Sequence, residues 1–323
     1  MDVAVVVNLR ARRGSEEIGR MVRARLPKAR VSVTRTLDDV RRWIERDLAP
    51  SPPELILSGG GDGTATALLN ELRDHDVPLA SLGVLRLGTG NGWANVTGAP
   101  RADRAIETIA RLADAPPTRR FALVECDGRI APFLGTGWDA EIVSDFQAQV
   151  KAGRNGLTGY LGAVMMKTIP RHVFGAGPAN VVLTNLGEHA TTIDPATGAV
   201  VKIPGGERGA VLYRGPASVA AAATTQEWGF GFRAFPHAHA APGRVSVRVY
   251  GAPVLEATRN MFKLWRGARV PKMHDFFLTH GRMDFDRPVP FQIGGDLQAT
   301  RTSFEFKLAS ASVDLVDWAK LAA

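Results

Sequence analysis

Hydrophobic and polar positions alternate in a regular way over the first third of the chain. Short apolar runs such as VAVVVN at 3–8 and SLGVLRL at 81–87 are typical of buried strands. Longer segments with helical spacing of apolar residues lie between them. Strand and helix in turn predict an α/β fold with a parallel sheet covered by helices. The further predicted strands cover 31–34 and 54–58, and the predicted helices cover about 15–26, 37–48 and 64–73.

The pattern changes after about residue 117, where short β-like runs follow one another and predict a mainly antiparallel region. Two helical exceptions are expected, an insertion with an apolar face at 154–175 and an amphipathic tail at 312–323. We therefore expect an α/β domain over 1–117, a second domain over 118–300, and a segment at 301–323 that returns to the first. The β-like runs are FALVEC, RIAPFLG, NVVLT, AVVKI, GAVLYR, RVSVRVY, DFFLTHGRMDF, PFQI and SFEFKL.

The 323 residues carry a formal charge of +8, which favours an anionic partner such as nucleic acid, an acidic lipid surface or a nucleotide phosphate. We expect no nucleic-acid binding, because no helix-turn-helix, zinc-finger or RNA-recognition signature accompanies the basic residues. The chain has one cysteine, no run of eighteen apolar residues and no ordered signal peptide, so a cytoplasmic location is predicted.

The run GGGDGT at 59–64 lies between a predicted strand and a predicted helix. Glycines let a ligand approach the main chain, and free N–H groups at a helix start favour a phosphate. Thr64 adds a hydroxyl donor. Asp62 would repel a phosphate unless a metal lies between them or the carboxylate has a proton to accept. Both possibilities indicate phosphoryl transfer.

A second glycine-rich loop, LGTGNGWAN at 87–95, follows the next predicted strand and offers Gly88, Thr89 and Asn91. Loops at the carboxyl ends of neighbouring parallel strands border one crevice, where open α/β sheets bind ligands. The alternative is that the glycines only serve tight strand-to-helix turns. Neither a GxxxxGK[ST] loop nor the protein-kinase signature set is present.

Together, four segments resemble the diacylglycerol kinase catalytic-domain superfamily: GGGDGT, LGTGN at 87–91, an opening strand that ends in Asn8, and FLGTGWDAEIV at 133–143. That superfamily includes bacterial lipid kinases, sphingosine kinases and ceramide kinases, and is distantly related to NAD kinases. Two later segments, FGFRAFPHAHAAPGRVSV at 230–247 and 264–298, also resemble it.

This resemblance implies a two-domain NAD kinase/diacylglycerol kinase-like fold, with an α/β domain, a C-terminal β-sandwich and ATP bound between them. It also implies that Mg²⁺ bridges the phosphates, with Asp62 as its protein ligand and no dedicated all-protein cage. The implied nucleotide site comprises Asn8, Arg10, Thr34, Gly59, Gly60, Gly61, Asp62, Gly63, Thr64, Gly88, Thr89 and Asn91.

The chain departs from the superfamily pattern at several positions. The opening turn NLRARRG lacks the usual proline and serine, Asn91 is followed by Gly92 where an aspartate is usual, and Ala-Pro-Gly at 241–243 replaces Asp-Asp-Gly. Near the end, Gly-Gly-Asp replaces Asp-Gly-Glu, so the proton-accepting position is Asp296, one methylene shorter than glutamate. Two roles remain open: Asp296 accepts the hydroxyl proton, or Asp62 accepts it and Asp296 orients the substrate.

A lipid acceptor requires an apolar pocket and a surface that meets the bilayer. The apolar stripe at 157–175, with Tyr160 and Met165, is a candidate lipid entry, although such a stripe also suits a protein core. By resemblance to sphingoid-base kinases, Asp139 is a candidate for the acceptor head group or for closing a turn. The basic and aromatic segment 260–272, which contains Phe262 and Trp265, suits an interface with anionic lipid or a solvated face.

Three functions follow from these observations. The first is an ATP-dependent lipid kinase that acts on a diacylglycerol-, ceramide- or sphingoid-type lipid at the membrane surface. The second is an NAD kinase-like enzyme with a soluble acceptor. The third is a non-catalytic lipid- or nucleotide-binding protein, because several of the superfamily's carboxylates are missing.

Overall fold

The computed structural model describes residues 1–138, 140, 141, 145, 162 and 177–321. The chain divides into two compact units. The first unit comprises Met1–Phe121, Gly229–Gly231 and Ala311–Ala323, and the second comprises Ala122–Trp228 and Phe232–Ser310. The domain boundaries expected from the sequence stay predictions.

A parallel sheet forms the centre of the first unit. Its strands are β1 (Val3–Asn8), β2 (Arg30–Thr34), β3 (Leu55–Gly60) and β4 (Ser81–Arg86), in the order β2-β1-β3-β4. All three neighbouring pairs are parallel, so the carboxyl ends of the four strands lie along one edge. The apolar runs of β1 and β3 are almost completely buried, which is the pattern of strands covered on both faces.

Helices connect these strands. They are α1 (Glu16–Arg25), α2 (Leu37–Trp43), which continues as one π-helical turn (Ile44–Leu48), α3 (Asp62–Asp74), α4 (Gly92–Val96) and α5 (Ala102–Arg111). Their starts have recognisable causes: the Ser15 hydroxyl accepts from the Ile18 N–H, and Thr36 with Asp39 forms a capping box at α2.

The first glycine run differs from its predicted form. Strand β3 continues through Gly60, and α3 begins at Asp62, two residues before the predicted start. Gly59 and Gly60 are therefore strand residues and only Gly61 separates strand from helix. The turn is this short because Gly61 itself serves as the N-cap of α3 in an extended conformation.

Antiparallel pairs dominate the second unit. Strand β12 (Val219–Ala223) lies between β7 (Phe133–Gly137) and β13 (Val245–Tyr250), and both pairs are antiparallel. Strand β15 (His280–Ile293) pairs antiparallel with β7, β8 (Ala179–Asn185) and β16 (Asp296–Val316). The elements from here to the C-terminus are β5 (Thr118–Cys126), β6 (Arg129–Ala131), β7 (Phe133–Gly137), β8 (Ala179–Asn185), β9 (Thr191–Ile193), β10 (Val200–Lys202), β11 (Val211–Ala217), β12 (Val219–Ala223), β13 (Val245–Tyr250), α6 (Val254–Trp265), β14 (Met273–Leu278), β15 (His280–Ile293), β16 (Asp296–Val316) and α7 (Trp318–Leu321).

Aromatic and β-branched side chains from these strands form the main core of the second unit. The rings of Phe291 and Phe304 lie 4.6 Å apart between β15 and β16, and both side chains are buried. Such pairs are favourable beyond the area that they bury. A parallel α/β unit followed by a mainly antiparallel unit confirms the predicted fold class.

The C-terminal tail is not the helix predicted for 312–323. Strand β16 continues to Val316, and α7 covers only Trp318–Leu321. Val313 and Leu315 alternate into the core, and Leu315 pairs in parallel with Leu82 of β4 within the first unit. Sheet pairing therefore overrides the helical spacing. The predicted helical insertion at 154–175 lies outside the described residues, and no described helix is long and apolar enough to cross a bilayer.

Candidate active site

The two glycine loops meet at the carboxyl edge of the parallel sheet in the first unit. We call residues 59–64 the Asp62 turn and residues 87–92 the Asn91 turn. A Cβ on Gly88 would lie 2.3 Å from the Cα of Gly61, and a Cβ on Gly61 would lie 3.0 Å from the Cα of Gly88. The two backbones thus touch where only glycine fits, as the sequence predicted for turns that follow adjacent strands.

Asp62 connects the two turns through its carboxylate. Its Oδ2 accepts the Gly92 N–H at 2.8 Å and its Oδ1 accepts the Trp93 N–H at 2.9 Å. These N–H groups begin α4 and lack partners inside that helix, so Asp62 acts as its N-terminal cap. The main chain of Gly92, the residue after Asn91, is thus bound by the acid of the other turn.

The environment of Asp62 changes its proton affinity. Burial raises the pKa of the Asp62 carboxyl above its usual range, and the hydrogen bonds from Trp93 and Gly92 oppose that rise. A carboxylate has about four lone-pair positions, so the N–H groups of Gly92, Trp93 and Asp62 itself leave one for a further partner. Asp62 therefore holds the Asn91 turn and retains the capacity to accept a proton or to bind a cation.

Asn91 shapes its own turn. Its backbone is left-handed, with φ at 52°, a conformation in which asparagine is among the favoured side chains. The side chain is buried; Oδ1 accepts the Gly88 N–H at 3.1 Å and Nδ2 donates to the Gly88 carbonyl at 2.9 Å. The amide therefore braces the loop, a role that the sequence did not indicate. A direct contact of Asn91 with nucleotide stays a prediction.

The turn after β1 is connected to both glycine turns. Asn8 Nδ2 donates to the Thr64 hydroxyl at 3.0 Å, and Asn8 Oδ1 accepts the Arg10 N–H at 2.9 Å. The Arg13 N–H donates to the Leu87 carbonyl at 3.0 Å. Thr34, buried on β2, lies beside Asn8 in the sheet. The structure thus brings Asn8, Thr34 and Thr64 together at the strand ends. Their contact with a nucleotide stays a prediction.

This edge of the first unit suits an anion. Helix α3 starts at Gly61, an N-cap without a side chain, so no cap side chain occupies its first N–H groups, and the positive end of its dipole lies at this edge. Arg10, Arg12 and Arg13 are exposed, and none of them forms an ion pair with a described acidic side chain. The side-chain-free backbone at the glycines, the N-terminus of α3 and the three arginines together form a donor set that fits a polyphosphate.

The same residues offer little to a metal ion on their own. The described residues contain no group of three His, Cys, Asp or Glu side chains that could hold a metal. Mg²⁺ commonly binds through one or two carboxylates together with substrate phosphates and water. Asp62 is the carboxylate of this edge that fits such a shared site.

Sequence reasoning missed one segment of the site region, Gly229 and Phe230. Within the first unit the Phe230 N–H donates to the Gly90 carbonyl at 2.9 Å, and a Cβ on Gly229 would lie 2.9 Å from the Gly90 Cα. Phe230 has φ at 53°, which is unusual for an aromatic residue, and such backbone strain is often found at functional sites. An aromatic residue between two glycines, in WGFGF at 228–232, was the available signal.

Asp296 belongs to the second unit and follows a tight hairpin. Ile293 pairs with Asp296, and the two residues between them, Gly294 and Gly295, have φ of 59° and 91°. Two left-handed residues in a two-residue hairpin match a type I′ turn. Asp296 is exposed, yet neighbouring atoms remove enough water to raise the pKa of its carboxyl, against the charge of Arg129. Its catalytic role stays a prediction.

The three residues predicted to bind the lipid, Asp139, Tyr160 and Met165, lie outside the described residues. Their roles stay predictions.

Comparison with known proteins finds relatives of the first part of the chain. Residues 2–124 match the diacylglycerol kinase catalytic domain family. A probable lipid kinase YegS-like from Pseudomonas fluorescens is 32% identical over 126 residues, which cover 38% of this chain and 40% of that protein. A probable lipid kinase YegS from Salmonella arizonae is 39% identical over 148 residues, which cover 43% of this chain and 46% of that protein. The aligned region is thus less than half the length of these relatives.

Solved structures extend the similarity of fold to nearly the whole chain. A diacylglycerol kinase from Bacillus anthracis aligns over 98% of this chain and 96% of its own, with a TM-score of 0.63 and 15% identity. An NAD kinase from Archaeoglobus fulgidus in complex with ATP covers 98% and 93%, with a TM-score of 0.51 and 12% identity. The fold is that of diacylglycerol kinases and NAD kinases. The family match over residues 2–124 confirms the predicted resemblance to the diacylglycerol kinase superfamily in that part of the chain.

Proposed function

We propose that the protein is an ATP-dependent lipid kinase that transfers the γ-phosphoryl group to a hydroxyl of a diacylglycerol-, ceramide- or sphingoid-type lipid. The observation that carries this proposal is the pair of glycine turns joined by Asp62, within the residues that match the diacylglycerol kinase catalytic domain. Such turns provide close main-chain approach for phosphates, and the acid beside them can serve the acceptor hydroxyl.

The nucleotide phosphates would be held by the Asp62 turn, the Asn91 turn and the N-terminus of α3, with Arg10 supplying positive charge. Asn8, Thr34, Thr64 and Thr89 supply polar groups at the same sheet edge. Bound ATP with Mg²⁺ would supply the transferable phosphoryl group and neutralise charge that develops during transfer. Apart from Asp62, these residues contribute positioning, since phosphoryl transfer requires little covalent chemistry from the protein.

Asp62 is the general base in this proposal. It takes the proton from the acceptor hydroxyl while its Gly92 and Trp93 hydrogen bonds keep the carboxylate fixed. The raised pKa makes the carboxylate a better proton acceptor than a free aspartate, provided that the pH exceeds that pKa. Asp296 orients the acceptor hydroxyl.

The lipid would be recognised by Asp139, Tyr160 and Met165, with Asp139 toward the head group. We further propose that the protein is cytoplasmic and attaches peripherally to the inner face of the membrane. The formal charge of +8 supports attraction to anionic lipid.

An NAD kinase-like activity is the second candidate, because the fold is shared with an ATP-bound NAD kinase. The two candidates differ in the acceptor, which is a membrane lipid in one and a soluble dinucleotide in the other. Helix α6 exposes the apolar side chains of Leu255 and Phe262, and such a surface favours the lipid.

A radiolabelled-ATP assay separates these functions. The protein is incubated with Mg²⁺, labelled ATP and, in separate reactions, detergent micelles containing diacylglycerol, ceramide or sphingosine, or NAD alone. We expect a phosphorylated lipid and no phosphorylated NAD. Phosphorylated NAD would support the alternative, and ATP binding without any labelled acceptor would indicate a non-catalytic binding protein.

Asp296 is tested in the same assay. If Asp296 orients the acceptor, Asp296→Asn should lower kcat by tenfold or more, whereas Asp296→Glu, which keeps the carboxylate, should retain activity. ATP affinity should not change in either variant. Asp286, which is exposed and bonded to Asn180, provides the control Asp286→Asn, for which we expect normal kcat. Equal kcat for Asp296→Asn and the wild type would remove Asp296 from the proposed mechanism.

A further inference from the structure

Helix α6 in the second unit exposes a face that mixes large apolar and basic side chains. Leu255, Arg259, Phe262 and Arg266 follow one another at intervals of four, three and four residues, which places them on one side of the helix. Leu255 is 58% exposed and Phe262 is 67% exposed, the highest values among large apolar side chains in the described part of the chain. Neither apolar side chain is buried in a core of the second unit, so burial within the fold does not explain their position.

The opposite face of α6 anchors the helix. Ala257 and Leu264 are buried in a small core with Tyr250 and Met273. Trp265, which the sequence placed in the exposed basic and aromatic segment, instead packs half-buried against Phe232, with ring centroids 5.5 Å apart. The helix is therefore held by its inner face, and its outer face can change without disturbing the core.

The charges around this outer face lack acidic partners. Arg259, Lys263, Arg266 and Arg269 are exposed, and none forms an ion pair with an acidic side chain among the described residues. By contrast, Lys272 pairs with Glu256 at 2.5 Å. The Arg266 guanidinium lies 4.0 Å from the centroid of the Phe262 ring, so a cation directly accompanies the most exposed apolar side chain.

We propose that the outer face of α6 docks on an anionic lipid bilayer, with Leu255 and Phe262 entering the interface and the four cations contacting lipid phosphates. Interfacial helices combine an apolar surface with Lys and Arg in this way, and both parts strengthen binding. A solvated basic face would lack the two apolar side chains, and an ordinary apolar contact would lack the unpaired cations. The proposal rests on the proposed function only in naming lipid as the partner.

The test is sedimentation with vesicles of phosphatidylcholine containing 30 mol% phosphatidylglycerol, at low and at high salt. We expect binding that weakens with salt and is weaker still on pure phosphatidylcholine vesicles. Phe262→Ala should lower partitioning by about tenfold. The double variant Arg259→Gln with Lys263→Gln should lower it by about 25-fold, at roughly fivefold for each charge.

Matched changes elsewhere in the second unit control for net charge and surface apolarity. Lys202→Gln with Arg208→Gln removes the same charge from exposed positions, and Val211→Ala removes an exposed apolar side chain. These variants should partition like the wild type. Wild-type partitioning of Phe262→Ala and of the Arg259/Lys263 variant, or equal losses in the controls, would overturn the proposal, as would absence of wild-type binding to the anionic vesicles.

Phosphorylation of a lipid in detergent micelles separates this proposal from the proposed function. The α6 variants should keep micellar activity, because no bilayer is present and the variants leave the glycine turns unchanged. If the wild type binds vesicles through α6 but phosphorylates no lipid in micelles, the docking surface stands and the kinase proposal fails. If the wild type phosphorylates micellar lipid but the α6 variants bind vesicles normally, the kinase proposal stands and the docking proposal fails.

Discussion

Asp62 has two tasks at the residue scale, and they use different parts of one carboxylate. Two main-chain N–H groups fix its orientation and join the Asp62 turn to the Asn91 turn. One lone-pair position remains for a proton or a cation. A base held in this way does not have to be ordered during the reaction, which is the usual advantage of a preorganised group.

Asp62→Asn should impair both tasks. The amide nitrogen would face one of the two N–H groups, so one hydrogen bond is lost, at a cost of about 1–3 kcal/mol in the free energy of unfolding. As a general base Asp62 should contribute about 10²–10⁴-fold to kcat, and that contribution should disappear. Urea unfolding and the lipid phosphorylation assay measure the two effects separately.

Asp74→Asn, at the exposed end of the same helix, is the matched control and should leave both quantities near wild type. The pH dependence adds a further check. A base must be ionised, so kcat should rise with pH through the raised pKa of Asp62, above the 3.8 of an ordinary aspartate. Unchanged turnover in Asp62→Asn would exclude Asp62 as the base.

The sequence indicated Asp62 as a catalytic candidate, because an acidic side chain in a phosphate-binding loop repels its ligand unless it binds a metal or accepts a proton. It could not show that the carboxylate caps α4, since the bonded N–H groups are 30 residues or more away along the chain and carry no side-chain signal. The bracing of Gly88 by Asn91 is equally local geometry. Residue types indicated what the site can do, and main-chain contacts decided how it is built.

The glycine turns are the feature that matters at the scale of elements. The strand-to-helix turns that follow two neighbouring strands touch at Gly61 and Gly88. A Cβ at either of these two positions would push the opposite turn away. Close contact between backbones in this place leaves no layer of side chains between the main-chain N–H groups and a ligand.

Gly88→Ala should therefore destabilise the first unit. The new Cβ would lie 2.3 Å from the Gly61 Cα, and relief requires a backbone shift with a cost of about 1–3 kcal/mol. Gly177→Ala is the control, because no atom of the described residues lies within 4 Å of the added Cβ and its φ is outside the left-handed region. Urea unfolding should change by less than about 0.5 kcal/mol in that variant. Equal stability of Gly88→Ala and the wild type would mean that the turns do not touch as described.

A buried ion pair joins β13 and β14 in the second unit. Arg248 donates to Asp275 from Nε at 2.7 Å and from Nη2 at 3.0 Å, and both side chains are almost fully buried. Asp275→Ala would leave the guanidinium buried without its partner, and we expect a loss of about 3–5 kcal/mol in unfolding free energy. Asp284→Ala, which breaks the exposed pair with Arg282, should cost only about 0.2–1 kcal/mol. Similar losses in both variants would contradict the burial of the Arg248 pair.

Segments with a clear apolar pattern were predicted well. An alanine-rich strand, β12, and one helix, α6, were not. Strands β1 to β4 and helices α1 to α3 were found near their predicted positions. Strand β12, VAAAA, was missed because alanine favours helix, whereas its small side chains here lie between β7 and β13. Helix α6 was missed because it lies between the β-like runs that form β13 and β14, where the pattern of successive short runs predicted further strands.

The fold class of the whole molecule was predictable, because the change from strand–helix alternation to successive strands is visible in the hydrophobic pattern of the sequence. Which residues of the tail belong to a strand was not predictable, since Val313 and Val316 have helical spacing whereas Val313 and Leu315 have strand spacing. The partner strand β4 decided between them. Long-range pairing of this kind has no local signal.

The central claim is that the two glycine turns of the first unit hold a nucleotide polyphosphate. Calorimetric titration of the purified protein with ATP, with and without Mg²⁺, tests it most directly. We predict saturable ATP binding by the wild type and by Asp74→Asn, and at least tenfold weaker binding by Gly88→Ala. Absence of ATP binding to the folded wild type, with and without Mg²⁺, would contradict the claim.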